Sequence, residues 1–143
     1  MNLRPWLVLV LAAFLAVPRF VSAAPPTPSL EVNQTIKLPC GHTIKILSIS
    51  KIESSPGVTA LMVRYETTLS IDQHKELSEE VDDVWKCTVK EAEKGHYSEA
   101  ILSSNEVPKG VFLTASRMYN FVFEKEEDGT WTRLGRADFM AAQ

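Results

Sequence analysis

The sequence predicts an α+β fold in which an antiparallel sheet, with the elements in the order β-β-β-α-β-β-β, packs on one long amphipathic helix. Short runs rich in Ile, Val, Thr and aromatic residues alternate with turn residues in both halves of the chain, as is typical of strands. Between these halves lies one segment with apolar residues at helical spacing. Strands on both sides of a single helix indicate a sheet that buries one face against that helix.

The first 23 residues are predicted to form a secretory signal peptide. Arg4 precedes an apolar run from Trp6 to Val17, which Pro18 interrupts. This run is shorter than the roughly 20 residues that span a bilayer, and it has the length of a signal-peptide core. Small side chains at the positions that signal peptidase recognises place cleavage after Ala23, with cleavage after Ala24 as the near alternative. The sequence therefore predicts an exported protein, periplasmic or secreted, without a membrane span after cleavage.

The charge balance of the chain is mildly acidic. Fifteen basic and 18 acidic residues give a formal charge of −3. Loss of Arg4 and Arg19 with the signal peptide leaves 13 basic residues and changes the charge to −5. The sequence contains no stripe of Lys and Arg that could neutralise phosphates, so we expect no nucleic-acid partner.

The first half of the mature chain is predicted to contain a leader and three strands. Residues 24–29 are rich in proline and lack large apolar groups, so we expect a mobile leader before a single domain at residues 30–134. A change of phase among the apolar residues of the second strand predicts either a β-bulge or a strand that is buried on both sides. Residues 38–42 and 54–57 are predicted turns. The predicted strands lie near residues 31–38, 42–52 and 58–69.

The clearest predicted element is a helix of about 24 residues, at positions 71–94. Its apolar stripe consists of Leu77, Val81, Val84, Trp85, Thr88 and Ala92. Ser70 and Gln73 are predicted to form a capping box at its start, and Gly95 to end it in left-handed geometry. The far face is expected to be solvated, with Asp82 and Lys86 at a favourable spacing, and to be open to a basic partner. This face carries Glu76, Glu79, Glu80, Asp82, Asp83, Lys86 and Lys90.

The second half is predicted to complete the sheet. Tyr119, Phe121 and Phe123 line one face of a strong strand, and Asp128-Gly129 is typical of a hairpin turn. No element is assigned to residues 135–143. The strand-like segments are 99–106, 111–113, 117–125 and 131–134.

Two cysteines, Cys40 and Cys87, are predicted to form a disulfide, because export removes the chain from the reducing cytoplasm. Helical geometry places Cys87 at the margin of the apolar stripe, where the first turn can reach it. Two unpaired thiols are the alternative. The short spacing of Cys40 and His42 also indicates a second hypothesis, a thiol nucleophile at Cys40 with His42 as its base. The sequence shows no third catalytic group beside them.

The sequence indicates no catalytic, metal or cofactor site. The three histidines lack ligand spacing, and the acidic pairs on the helix lack the alternating ligands of a calcium loop. A pocket between helix and sheet is the remaining candidate for ligand binding, lined by Tyr65, Trp85 and Tyr119. Aromatic side chains on one face of a sheet are more often simply part of the core.

Three stretches of the chain carry a resemblance. They are Arg64-Tyr65-Glu66-Thr67, Glu80-Val81-Asp82-Asp83-Val84-Trp85, and Tyr119-Asn120-Phe121-Val122-Phe123 before Asp128-Gly129-Thr130-Trp131. They lie in the segment from Ala60 to Trp131, and this segment, about half of the mature chain, is similar to small exported bacterial proteins of unknown function. The resemblance implies an extracytoplasmic location and no mechanism.

The resulting functional expectation is a non-enzymatic binding or accessory module of the cell envelope, with an envelope or extracellular protein as its partner. An inhibitor of a basic hydrolase is one form of such a module. The alternative is a small-ligand carrier or enzyme that uses a pocket between helix and sheet.

Overall fold

The computed structural model describes residues 30–110 and 116–135, which form one six-stranded sheet and one helix. The predicted signal peptide 1–23, leader 24–29, segment 111–113 and the part of the tail after Gly135 lie outside the described residues. The mixed α+β architecture that the sequence predicts is confirmed. The elements are β1 Thr35–Lys37, β2 Thr43–Ser55, β3 Val58–Thr67, α1 His74–Lys94, β4 Glu99–Glu106, β5 Met118–Lys125 and β6 Trp131–Arg133.

The sheet is mixed, so the prediction of a wholly antiparallel sheet is wrong. Its strands lie in the order β1-β2-β3-β4-β5-β6, and every neighbouring pair is antiparallel except β3 and β4. These two run in parallel, with Val63 opposite Leu102. The reason is that α1 carries the chain back to the end of the sheet where β3 begins, so β4 starts from that same end. One crossover helix therefore suffices for one parallel pair.

The core lies between α1 and one face of the sheet. On β3 the alternate residues Leu61, Val63, Tyr65 and Thr67 are buried, which confirms the predicted alternation. The helix contributes the predicted stripe, including fully buried Val81 and Thr88. The other core side chains come from β1, β2, β4 and β5, namely Ile36, Ile44, Ile46, Ala100, Leu102 and Phe123.

The predicted bulge in β2 is confirmed, and the predicted β1 is too long. The register between β2 and β3 shifts between Ile46 and Ser48. The bulge keeps apolar side chains on the core face despite their change of phase. The chain before β1 turns at Asn33, which has a φ of 67°, so β1 contains only three residues.

The helix ends at Lys94 as predicted, but its start and the backbone geometry after its last residue differ from the prediction. The helix begins at His74 instead of residue 71, because residues 70–73 form a turn in which the Gln73 N–H donates to the Ser70 carbonyl at 2.9 Å. Only half of the capping box forms: the Ser70 N–H donates to Gln73 Oε1 at 2.9 Å. At the other end Gly95 has a φ of −81° and His96 is the left-handed residue, with a φ of 55°.

Glycine is required at position 95 because a side chain would not fit there. Its backbone conformation is one that other residues also adopt. A Cβ added at this position would lie 2.1 Å from the ring of Tyr97, which packs against the core. The glycine therefore allows the Tyr97 ring to lie over the end of the helix.

An ion cluster fixes the approach to α1. Arg117 donates to Glu106 Oε1 at 2.7 Å and to Asp72 Oδ2 at 2.9 Å. Glu106 Oε1 also accepts the Ile71 N–H at 2.7 Å. The Arg117 guanidinium, followed by the Ile71 amide, lowers the pKa of Glu106 to about 2. The turn before α1 is thus tied to the end of β4 and the start of β5.

We expect this cluster to give the protein an acid-dependent stability. The folded pKa of Glu106, about 2, lies below its ordinary value of 4.5. The carboxylate therefore stabilises the fold above about pH 4.5, and this contribution is lost as the pH falls to about 2. Urea unfolding should show that Glu106→Gln lowers stability at pH 7 and flattens its fall in acid. The control variant Glu76→Gln changes an exposed residue and should keep the wild-type dependence of stability on pH. The same dependence in Glu106→Gln would contradict the role of the ion cluster.

Candidate functional site

A polar cluster lies inside the core where the first turn, residues 38–42, meets α1. Glu80 is 0% exposed because it follows Leu77 by three residues and precedes Val84 by four, within the buried stripe. Its Oε2 accepts the Thr67 hydroxyl at 3.0 Å and lies 3.2 Å from His42 Nδ1. The prediction that Glu80 belongs to the solvated face is therefore wrong.

The cluster holds buried polar atoms without hydrogen-bond partners. Within the described ranges these atoms are His42 Nδ1, Tyr65 OH, Glu80 Oε1 and Ser104 Oγ. The contact of His42 with Glu80 is within ion-pair distance but outside hydrogen-bond geometry. Burial raises the pKa of Glu80, against the lowering effects of the Thr67 hydroxyl and His42. Burial also raises the pKa of Tyr65, so its phenol is neutral at physiological pH.

A second helix carboxylate binds the backbone of the first turn. Asp83 Oδ2 accepts the Cys40 N–H at 2.8 Å, and Asp83 Oδ1 accepts Lys86 Nζ at 2.6 Å. Lys86 is the main reason that the pKa of Asp83 is lowered. Asp83 is buried, which corrects its predicted solvent exposure. Lys86 thus pairs with Asp83, while the predicted partner, Asp82, pairs with Arg133 at 2.8 Å.

The disulfide that the sequence predicts is not formed in the structure. Cys40 is exposed in the first turn and Cys87 is half-buried on α1, and both are free thiols. Both cysteines lie near Asp83. The Cys40 N–H donates to the Asp83 carboxylate, and Cys87 follows Asp83 by one turn of the helix. The helix margin therefore faces the first turn as expected, but the sulfurs are not bonded.

Neither thiol has the environment of a nucleophile. Burial is the main cause that raises the pKa of Cys40 and of Cys87, and the charge of Asp83 acts in the same direction. A reactive cysteine needs the opposite, a lowered pKa. The His42 ring contacts Glu80, so the Cys40 and His42 pair does not form a catalytic dyad.

The structure places the three predicted pocket residues in different surroundings. Tyr65 is fully buried in the core. Trp85 stacks on Phe123 with a centroid distance of 4.1 Å and meets Trp131 at 5.1 Å. Tyr119 lines an open cavity of about 300 Å³, between α1 and strands β5 and β6. The other lining residues are His74, Leu77, Ser78, Phe121, Arg133, Leu134 and Gly135.

The sheet face opposite α1 carries a larger cavity, which the sequence analysis missed. Its volume is about 500 Å³. Ile52, Ile101 and Leu134 give it apolar walls. It lies on the face opposite α1 because Ile52, Glu99 and Glu124 alternate with core-facing residues of β2, β4 and β5. This cavity therefore combines an apolar surface with acidic side chains.

Two of these carboxylates face each other across neighbouring strands. Glu99 and Glu124 are Cα partners, and like charges at this position destabilise a sheet. The Ser54 hydroxyl donates to Glu99 Oε2. The Glu124 carboxylate forms neither a hydrogen bond nor an ion pair with the side chains of the described residues. Lys125, which also lines the cavity, instead binds Glu93 at 2.7 Å. The carboxylate pair is therefore not neutralised by a neighbouring cation.

Comparison with known proteins gives no relative: no protein-family model, curated protein or solved structure matches the chain. Within residues 30–110 and 116–135, no group of three or more His, Cys, Asp or Glu residues could hold a metal ion. Among the described residues, no helix is both long enough and apolar enough to cross a membrane.

Alkylation of native protein without reductant tests the state of the two thiols. We expect iodoacetamide to modify Cys40 first, because it is exposed, and Cys87 more slowly, because it is half-buried. Both reactions should require a higher pH than the alkylation of an ordinary thiol, since the pKa values of both thiols are raised. Peptide mapping assigns the labels, and Cys87→Ser provides the single-thiol control. Labelling of neither cysteine before reduction would show a disulfide and contradict the free thiols.

Proposed function

We propose that this chain is an exported, non-enzymatic binding module of the cell envelope and that it docks a basic protein segment on the sheet face opposite α1. The observation that carries the proposal is the cavity of about 500 Å³ on that face, with its apolar walls and its Glu99 and Glu124 pair. An extracellular partner and a periplasmic one fit the proposal equally.

The composition of this face supports a binding role. The helix does not cover it, because α1 packs on the other face. Met118 is 60% exposed, and Met62 lies half-buried on the same side of the sheet. Methionine side chains adapt to irregular partner surfaces. Polar Asn120 and Arg64 lie on the same face, so it is a mixed surface of the kind that transient interfaces use.

The charge of the cavity favours a basic occupant. Arginine and lysine side chains have long aliphatic stems that pack on apolar surface while their charged ends stay in polar surroundings. A stem against Ile52 and Ile101 would bring a cationic end to the Glu99 and Glu124 carboxylates. That contact would remove the repulsion between the two like charges. The net charge of −5 after signal cleavage adds attraction at long range.

A peptide-binding experiment tests this function. The probe is an extended peptide of alternating arginine and valine, compared with the same peptide carrying glutamine in place of arginine. Fluorescence anisotropy at low salt should show binding of the arginine peptide to the wild-type protein. The double variant Glu99→Gln, Glu124→Gln should weaken it roughly 5- to 10-fold, the effect expected for two partly exposed ion pairs.

The matched control removes two charges elsewhere. Glu76→Gln, Glu79→Gln changes the exposed surface of α1 by the same net charge and should leave the affinity within about twofold of wild type. Equal weakening by the two double variants would show attraction to net charge alone and contradict the docking site. Absence of binding to the wild-type protein would contradict it as well.

The cavity beside Tyr119 favours a second candidate, a small-ligand carrier. Tyr119 and Phe121 lie 4.8 Å apart between ring centroids, and Arg133 lies over Phe121 at 6.0 Å. This arrangement fits a small planar ligand. A compound that raises the melting temperature of the wild-type protein but not of Tyr119→Ala would favour the carrier over the protein-binding module.

A further inference from the structure

The first turn, residues 38–42, is held on the domain through an ionisable pair, in which Glu80 is fully buried and His42 is half-buried. Glu80 is 0% exposed, whereas the His42 side chain is 29% exposed, and His42 Nδ1 lies 3.2 Å from Glu80 Oε2. We propose that Glu80 and His42 form a proton-sensitive lock that keeps this turn docked on α1. The lock is independent of the binding function proposed above.

Glu80 depends on His42 for a counter-charge. Within the described residues, His42 is the one basic side chain at ion-pair distance from Glu80. A buried carboxylate without a counter-charge is strongly unfavourable. The Thr67 hydroxyl satisfies one oxygen in part, but Glu80 Oε1 has no hydrogen-bond partner. A positive charge at His42 therefore stabilises the docked turn while Glu80 is ionised.

The other groups that face the pair keep a constant charge near neutral pH. From β3, Tyr65 is neutral because burial raises its pKa. From the turn, the Cys40 thiol also has a raised pKa. From α1, Asp83 has a lowered pKa and remains a carboxylate paired with Lys86. Thr67 and Ser104 do not titrate. None of these groups therefore changes the charge around the pair near neutral pH.

Glu80 sets the sign of the pH dependence of the lock. Burial raises the pKa of Glu80 above its value of 4.5 in an unfolded chain, so its effect on stability becomes less favourable as the pH rises through the folded value. The turn is therefore locked in mild acid and is loosened toward alkaline pH.

Opening of the turn releases identifiable backbone contacts. The Leu38 N–H donates to the His42 carbonyl at 2.8 Å and the Gly41 N–H to the Leu38 carbonyl at 2.9 Å. The Cys40 N–H donates to Asp83 Oδ2 at 2.8 Å. Loss of these bonds exposes the three amides to water, so amide exchange measures the lock directly.

Hydrogen exchange followed by NMR from pH 5.5 to 8.5 tests the lock, with rates corrected for intrinsic pH dependence and the Leu102 amide in β4 as internal reference. In the wild-type protein we expect the protection of the Leu38, Cys40 and Gly41 amides to fall about tenfold, the size expected for the loss of one charged contact. Glu80→Gln should abolish this pH dependence, because the glutamine cannot ionise. Exposed Glu79→Gln is the matched control and should retain it.

A second variant separates charge from packing. His42→Lys supplies a positive charge that persists to pH 8.5 and should keep the three amides protected over the whole range. The proposal would be overturned if protection in His42→Lys or in Glu80→Gln fell with pH as much as it does in the wild-type protein. Protection in the wild-type protein that is constant or rises with pH would also overturn it.

Discussion

The parallel pairing of β3 with β4 is the constraint on which the rest of the structure depends. It extends from Ala60 opposite Glu99 to Thr67 opposite Glu106, in a sheet that is otherwise antiparallel. Parallel neighbours cannot be joined by a tight turn, so the chain must cross one face of the sheet between them. The helix makes this crossing. The pairing thereby decides which face of the sheet is buried and which remains free of the helix.

The same crossing places the polar groups of both sites. It brings Glu80 and Asp83 against the turn between β1 and β2, where one contacts His42 and the other binds the Cys40 amide. On the opposite face, the continuation of the sheet from β4 to β5 sets Glu99 beside Glu124. One arrangement buries a carboxylate under a histidine, and the other leaves a pair of carboxylates next to an apolar cavity. The proposed lock and the proposed docking surface thus lie on opposite faces of one sheet.

The sequence predicts elements better than it predicts their neighbours. The alternation of β3, the stripe of α1 and the hairpin turn at Asp128-Gly129 are local patterns, and the structure confirms each of them. The parallel pair is not local, because hydrophobic alternation does not encode strand direction. The pairing of Glu99 with Glu124 depends on register across 25 positions and has no sequence signal. The free Cys40 and Cys87 likewise depend on the placement of a turn against a helix.

The wrong prediction that Glu80 is exposed to solvent has a different origin. Helical geometry places it about 40° from Val84 around the axis, at the edge of the apolar stripe. The period alone therefore indicates burial, and only the residue type suggests solvent. A charged residue at a buried helical position is itself a signal, because such groups persist where a partner or a role compensates for their burial. Applied to this helix, that rule would have identified Glu80 from the sequence.

Interstrand nuclear Overhauser effects between β3 and β4 test the account most directly, because both faces of the sheet follow from this one pairing. In isotopically labelled protein, we expect the contacts that are typical of parallel strands. These contacts progress in the same direction along both strands and place Val63 in register with Leu102. Contacts that progress in opposite directions along the two strands, or their absence, would contradict it. The helix would then not need to cross the sheet, and neither site would stand as described.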